Sequence, residues 1–101
     1  MFTWTEEKNQ LNKRKHGFYL SDIIVIFEDP YLLEFYDSAH SSLDQDRYIN
    51  LGYFHDNVII FAVTADNING DTQIITAREA TPDEQEVYYE HYKKSTDCSR
   101  N

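Results

Sequence analysis

A chain of 101 residues is long enough for one hydrophobic core and too short for two, so a single domain is expected. Its 41% hydrophobic and 15% aromatic content excludes a disordered chain, and a net charge of −9 excludes binding to nucleic acid through a broad basic face. The longest apolar runs, 23–27 and 58–63, fall well below the roughly 20 residues that cross a bilayer.

The N-terminus has no secretory pattern, and the single Cys98 has neither a disulfide partner nor zinc-ligand spacing. A cytoplasmic protein without a membrane partner is therefore expected. Charge is unevenly spread: Lys8, Lys13, Arg14 and Lys15 lie in the first 15 positions, whereas Asp83, Glu84, Glu86 and Glu90 crowd the last third.

In chain order, Thr3-Trp4-Thr5-Glu6 has the form of a capping box, and helix formers follow over 6–15 until Gly17 closes the turn. Leu20-Ser21-Asp22 can cap a second helix reaching Phe27, but the β-branched 23–27 supports a strand equally. Pro30 then breaks the chain, and 31–36 reads as a strand. After a polar loop over 37–46, residues 47–53 alternate with period two, and His55-Asp56-Asn57 supplies a turn before the apolar 58–63.

A second turn over 66–71 leads to a last strand, 72–77, completing an expected four-stranded antiparallel meander. Thr81-Pro82-Asp83-Glu84 combines a cap, a first-turn proline and a capping-box acid, and starts a helix running to about Lys94. Tyr88, Tyr89 and Tyr92 would give this helix its core face. The pattern predicts one α+β domain over 1–94 and a disordered tail over 95–101.

The residue types with chemical potential are few. Lys13, Arg14, Lys15 and His16 sit at a helix C-terminus, where the dipole alone favours positive charge. The same cluster could hold phosphate oxygens while an imidazole exchanges protons near neutral pH. Arg47 and Arg78 could each clamp a phosphate in bidentate fashion, or simply pair with a nearby carboxylate. His40, His55 and His91 lack metal-site spacing, and the acids Asp37, Asp44 and Asp46 match no calcium loop, so neither metal nor other cofactor is expected.

The ordered series Trp4, Lys8, Asn12, Lys15-His16-Gly17-Phe18, Phe27-x-Asp29-Pro30, Arg47-Tyr48, Gly52, Ile74-Ile75-Thr76-Ala77-Arg78-x-Ala80, Glu84 and Tyr88 resembles the BrnT family. The resemblance implies a RelE-like fold with two N-terminal helices, an antiparallel sheet and a closing helix, which makes 21–27 helical. It implies a toxin of a type II toxin-antitoxin system, a metal-independent ribonuclease that inhibits translation. The implied partners are RNA, a ribbon-helix-helix antitoxin of the BrnA kind, and operator DNA reached only through that antitoxin. Lys15, His16, Arg47 and Arg78 become the implied catalytic residues.

Three positions depart from the family pattern: Asp66 and Gln73 stand where arginines are usual, and Gln45 where a glutamate is usual. Loss of two cations from a phosphate-binding surface costs about 1 to 3 kcal/mol for each charged hydrogen bond. A second reading follows, a binding module that keeps antitoxin docking and operon autoregulation but has lost catalysis.

Overall fold

The computed structural model describes residues 1–43 and 45–98. Its elements are β1 (Phe2–Thr3), α1 (Glu6–His16), α2 (Leu20–Ile23), a 3-10 segment (Ile24–Glu28), β2 (Leu33–Tyr36), β3 (Arg47–Tyr53), β4 (Ile59–Asp66), β5 (Thr72–Glu79) and α3 (Pro82–Cys98). The architecture is α+β. Strands run in the order β1-β5-β4-β3-β2, antiparallel except for the parallel β1–β5 pair.

The fifth strand corrects the expected four-stranded antiparallel sheet. β1 is two residues long, too short to display a period in sequence, and its place is fixed by partners far along the chain. Thr72 donates its N–H to the Met1 carbonyl at 2.9 Å, and Phe2 stacks on Phe27 with centroids 4.3 Å apart. Thr3 therefore cannot cap α1. The cap is Thr5, whose hydroxyl accepts from the Lys8 N–H at 3.2 Å, with Glu6 and Glu7 in the dipole-favoured first turn.

The segment left open between helix and strand is helical but divided, a short α2 followed by the 3-10 segment. Leu20, Ile23 and Ile26 recur every three residues and are fully buried, the spacing that a tight helix aligns on one face. They pack on Ile60, Ala62, Ile74 and Ala77 of the sheet. The contact is close at Gly52, where a Cβ would stand 2.8 Å from Ile26 Cβ and 2.9 Å from Leu32 Cδ1.

The β3–β4 turn has positive φ at Asp56 (50°) and Asn57 (65°), the paired left-handed geometry of a type I′ hairpin. Alternation along β4 sends Ile59, Phe61 and Val63 to the opposite face, where Leu51, Ile59, Ala80 and Tyr88 form a smaller core beneath α3. Tyr88 is 3% exposed, but Tyr89 and Tyr92 are 41% exposed, so the expected three-tyrosine core face reduces to one. The capping box at Thr81 forms as predicted, with Thr81 N–H to Glu84 at 2.8 Å and Glu84 N–H to the Thr81 hydroxyl at 3.3 Å. α3 continues through Cys98, past the expected stop at Lys94; of the expected tail, 99–101 lie outside the described residues. Among the described residues, no helix is long and apolar enough to cross a membrane.

Candidate functional site

α1 approaches β5 through an asparagine. β1 pairs with Thr72 and Gln73, and among the described residues the edge of β5 beyond them has no strand partner. Asn12, 5% exposed, fills that role at Ala77. Its Nδ2 donates to the Ala77 carbonyl at 2.9 Å and the Phe18 carbonyl at 2.8 Å. Its Oδ1 accepts from the Ala77 N–H at 3.0 Å and the Thr76 hydroxyl at 3.2 Å. The side chain thus satisfies buried strand groups that would otherwise have no partner.

That attachment sets the end of α1 beside Ile75 and Thr76. Lys8, Leu11, Asn12 and Lys15 follow one another at helical spacing and, with His16, Ile75 and Thr76, line a cleft of about 200 Å³. The basic run divides by role. Lys13 donates to the Gly17 carbonyl at 3.2 Å and lies 5.4 Å from the Tyr19 ring centroid, so it closes the helix. Gly17, with φ of 84°, supplies the left-handed cap. Lys15 and His16 face the cleft, and Arg14 is exposed outside it.

A second cleft of about 270 Å³ adjoins the first across Ile75 and Thr76, which line both. Ile75 is displaced by a register shift between β4 and β5: Val63 pairs with Thr76 and Thr64 with Ile74, so Ile75 has no opposite residue. This cleft holds Arg47 and Ile49 of β3, Phe61 and Val63 of β4, and Asp37 with His40 from the preceding loop. His40 Nδ1 lies 2.9 Å from Asp37 Oδ2, an imidazole oriented by a carboxylate. Sequence reading passed over this pair as part of a solvated loop, although the i, i+3 spacing after β2 was its visible signal.

Arg78 is committed elsewhere. Its Nη1 and Nη2 donate to the two oxygens of Glu84 at 2.8 and 3.0 Å, and its guanidinium lies 3.9 Å from the Phe61 ring centroid. The hydrogen bond to Arg78 holds the Glu84 carboxyl below its ordinary range, against the opposing effect of burial, and the same bond pushes the guanidinium further up. Phe61 also lines the Arg47 cleft, so Arg78 borders the site.

The departures separate by face. Gln73 pairs with Ala65, and Ala65 with Arg47, so a neutral side chain occupies the row of Arg47. Asp66 alternates to the other face, where partial burial, Asp46, Asp66 and Glu34 together raise the Tyr48 phenol. Gln45 exchanges backbone hydrogen bonds with Ser42 in the loop before β3. Among the described residues, no group of three or more His, Cys, Asp and Glu side chains is arranged to hold a metal ion.

Comparison with known proteins bears on the family and the fold. The family model described as the ribonuclease toxin BrnT of type II toxin-antitoxin systems matches residues 4–84. The crystal structure of the Brucella abortus ribonuclease toxin BrnT superposes with a TM-score of 0.62 at 26% identity, covering 80% of this chain and 97% of that one. A search among curated proteins gives no match.

Proposed function

The chain belongs to the BrnT family of ribonuclease toxins of type II toxin-antitoxin systems, and from that premise we propose that it is a metal-independent endoribonuclease acting in the cytoplasm to inhibit translation and growth. One observation carries the reading: Lys15 and His16 line one cleft, Arg47 lines the next, and the two clefts share Ile75 and Thr76. A phosphodiester lying across that shared strip meets cations from both sides. The nucleophile is the RNA's own 2′-hydroxyl, so the protein has to supply proton transfer and charge stabilisation.

His16 takes the 2′-hydroxyl proton as the oxygen attacks phosphorus. Lys15 and Arg47 stabilise the added charge of the phosphorane. The 5′-oxygen then departs, taking a proton from solvent water, and leaves a 2′,3′-cyclic phosphate and a 5′-hydroxyl end, after which His16 gives up its proton to solvent. Arg78 joins the phosphate contacts only when it exchanges Glu84 for the substrate. A ribbon-helix-helix antitoxin neutralises the protein and carries it to operator DNA.

The test is digestion of total RNA by the purified chain with and without EDTA. Cleavage should persist in EDTA, and Lys15→Ala, His16→Ala and Arg47→Ala should each slow it about 100-fold. Intact RNA at stoichiometric protein sinks the proposal; loss on His40→Ala but not on His16→Ala moves the base to the Asp37–His40 pair.

A second reading has its own observation, the neutral Gln73 in the row of Arg47 together with an Arg78 already bound to Glu84. On that reading the chain is a docking module whose catalysis has been lost. Expression without antitoxin would then leave growth unaffected, and toxicity abolished by Arg78→Ala would eliminate it.

A further inference from the structure

A cavity of about 570 Å³ lies away from the cation clefts, between α3 and the turn joining the 3-10 segment to β2. Its walls carry the rings of Tyr31, Tyr53, Phe54, Tyr88, Tyr89 and Tyr92. Val25, Tyr53, Tyr89 and Tyr92 are each about two-fifths exposed, at 42, 39, 41 and 41%, so side chains that would ordinarily be covered converge on one open groove. Tyrosine is among the side chains enriched as anchors of protein interfaces.

The groove's charges have one sign. Among the described residues its charged lining is Glu28 and Asp29, with no Lys, Arg or His in its wall. Asp29 is occupied by the fold: Oδ1 accepts from the Tyr31 N–H at 2.8 Å, and Oδ2 accepts from the Tyr53 N–H at 2.9 Å and the Tyr88 hydroxyl at 2.5 Å. Burial first, and then Asp29, push the Tyr88 phenol up, keeping it a donor. Glu28, by contrast, makes no ion pair or side-chain hydrogen bond among the described residues, and its side chain is exposed at the rim.

Aromatic faces carry negative potential and attract a desolvated cation, most strongly when a carboxylate stands beside them. RNA has the wrong charge for such a groove. We propose that this tyrosine-lined groove is the docking site for the antitoxin, which inserts an Arg or Lys side chain from an otherwise apolar segment among Tyr53, Tyr89 and Tyr92, with its charge toward Glu28. The inference rests on membership of a toxin-antitoxin family and is independent of the assignment of the cleavage site. It places neutralisation on a surface separate from Lys15, His16 and Arg47.

The experiment measures binding of the cognate antitoxin, full length, to the wild-type chain, to Tyr89→Ala/Tyr92→Ala and to Glu28→Lys, with RNA cleavage by each free protein assayed in parallel. Both variants should bind the antitoxin at least tenfold more weakly, while cleavage and thermal midpoint stay near wild type. If the double variant is unstable, the surface substitution Glu28→Lys decides alone. Affinity within twofold of wild type for Glu28→Lys overturns the proposal, as does a loss of affinity confined to Lys15→Ala and Arg47→Ala. A wild-type dimer that Tyr89→Ala/Tyr92→Ala converts to monomer also overturns it, because the occupant is then a second copy of the chain. Absence of RNA cleavage by the wild type would count against the nuclease reading and leave the affinity comparison fully informative.

Discussion

The cation clefts and the tyrosine groove are each held in shape by one polar side chain reaching across elements, but the two side chains differ in charge. Asn12 joins α1 to β5 with a neutral amide, giving two hydrogen bonds and accepting two. Asp29 joins the turn before β2 to β3 and α3 with a carboxylate that only accepts. A neutral clip holds Lys15 and His16 in place without adding a negative charge to the cleft they line. An anionic clip adds to the negative potential of a groove already lined with aromatic faces. The chemistry of each clip thus matches the sign of the surface it supports.

Replacing Asn12 should have the largest effect. Asn12→Ala leaves the Ala77 N–H and carbonyl buried without partners, and at about 1 to 3 kcal/mol per unsatisfied group it should cost about 3 kcal/mol. In a domain of this size that corresponds to a fall of about 15 °C in thermal midpoint. Asn12→Asp sharpens the point: it keeps the acceptor for Ala77 and Thr76, loses both donors, and puts a carboxylate into the Lys15 cleft. RNA affinity of Asn12→Asp should fall further than its stability accounts for, measured by binding at temperatures where the protein stays folded. Equal binding by the two variants would show that the neutrality of Asn12 is irrelevant to the cleft.

Tyr88→Phe tests the other clip at smaller cost. It removes one hydrogen bond from Asp29, which retains the backbone donors of Tyr31 and Tyr53. A loss of about 1.5 kcal/mol in urea unfolding is expected, since a bond to a charged group is broken and one donor is removed with it. RNA cleavage should be unchanged. If cleavage fell by more than the stability loss accounts for, the two regions would be coupled through the sheet, and their separation would be lost.

How much of this was legible in the sequence depended on the range of each interaction. β3 was readable end to end over Arg47–Tyr53 because its alternation reflects one face against the core, and the Thr81–Glu84 box was readable because both partners lie within four residues. β1 was not, because its two residues gain strand character only from Thr72 and Gln73. Asn12 could be seen as a member of an ordered pattern but not as a clip, since its decisive partner Ala77 lies 65 residues away. Lys15 and His16 were found together, and the register of the sheet brings the Arg47 cleft against theirs. Arg78 had two open readings in sequence, phosphate clamp or ion pair, and the structure shows the ion pair with Glu84.

That ion pair joins the two regions, because Glu84 starts α3, one wall of the tyrosine groove, while Arg78 lies over Phe61 of the Arg47 cleft. The smallest predicted effect, Glu84→Gln, shows to which region it answers. The folded-state Glu84 carboxyl is held below its ordinary value of 4.5, chiefly by Arg78. Its contribution is therefore fully present above pH 4.5 and is lost as pH falls through the lowered value. Both groups are partly exposed, so the contribution is about 1 kcal/mol. Urea unfolding should show that gap between wild type and Glu84→Gln at pH 7, closing toward pH 2; a gap that persists in acid would assign the loss to packing of the α3 cap. If Arg78 serves the phosphate, releasing it should also tighten RNA binding at pH 7. If binding is unchanged, Arg78 belongs with α3, and the cation site is Lys15, His16 and Arg47 alone.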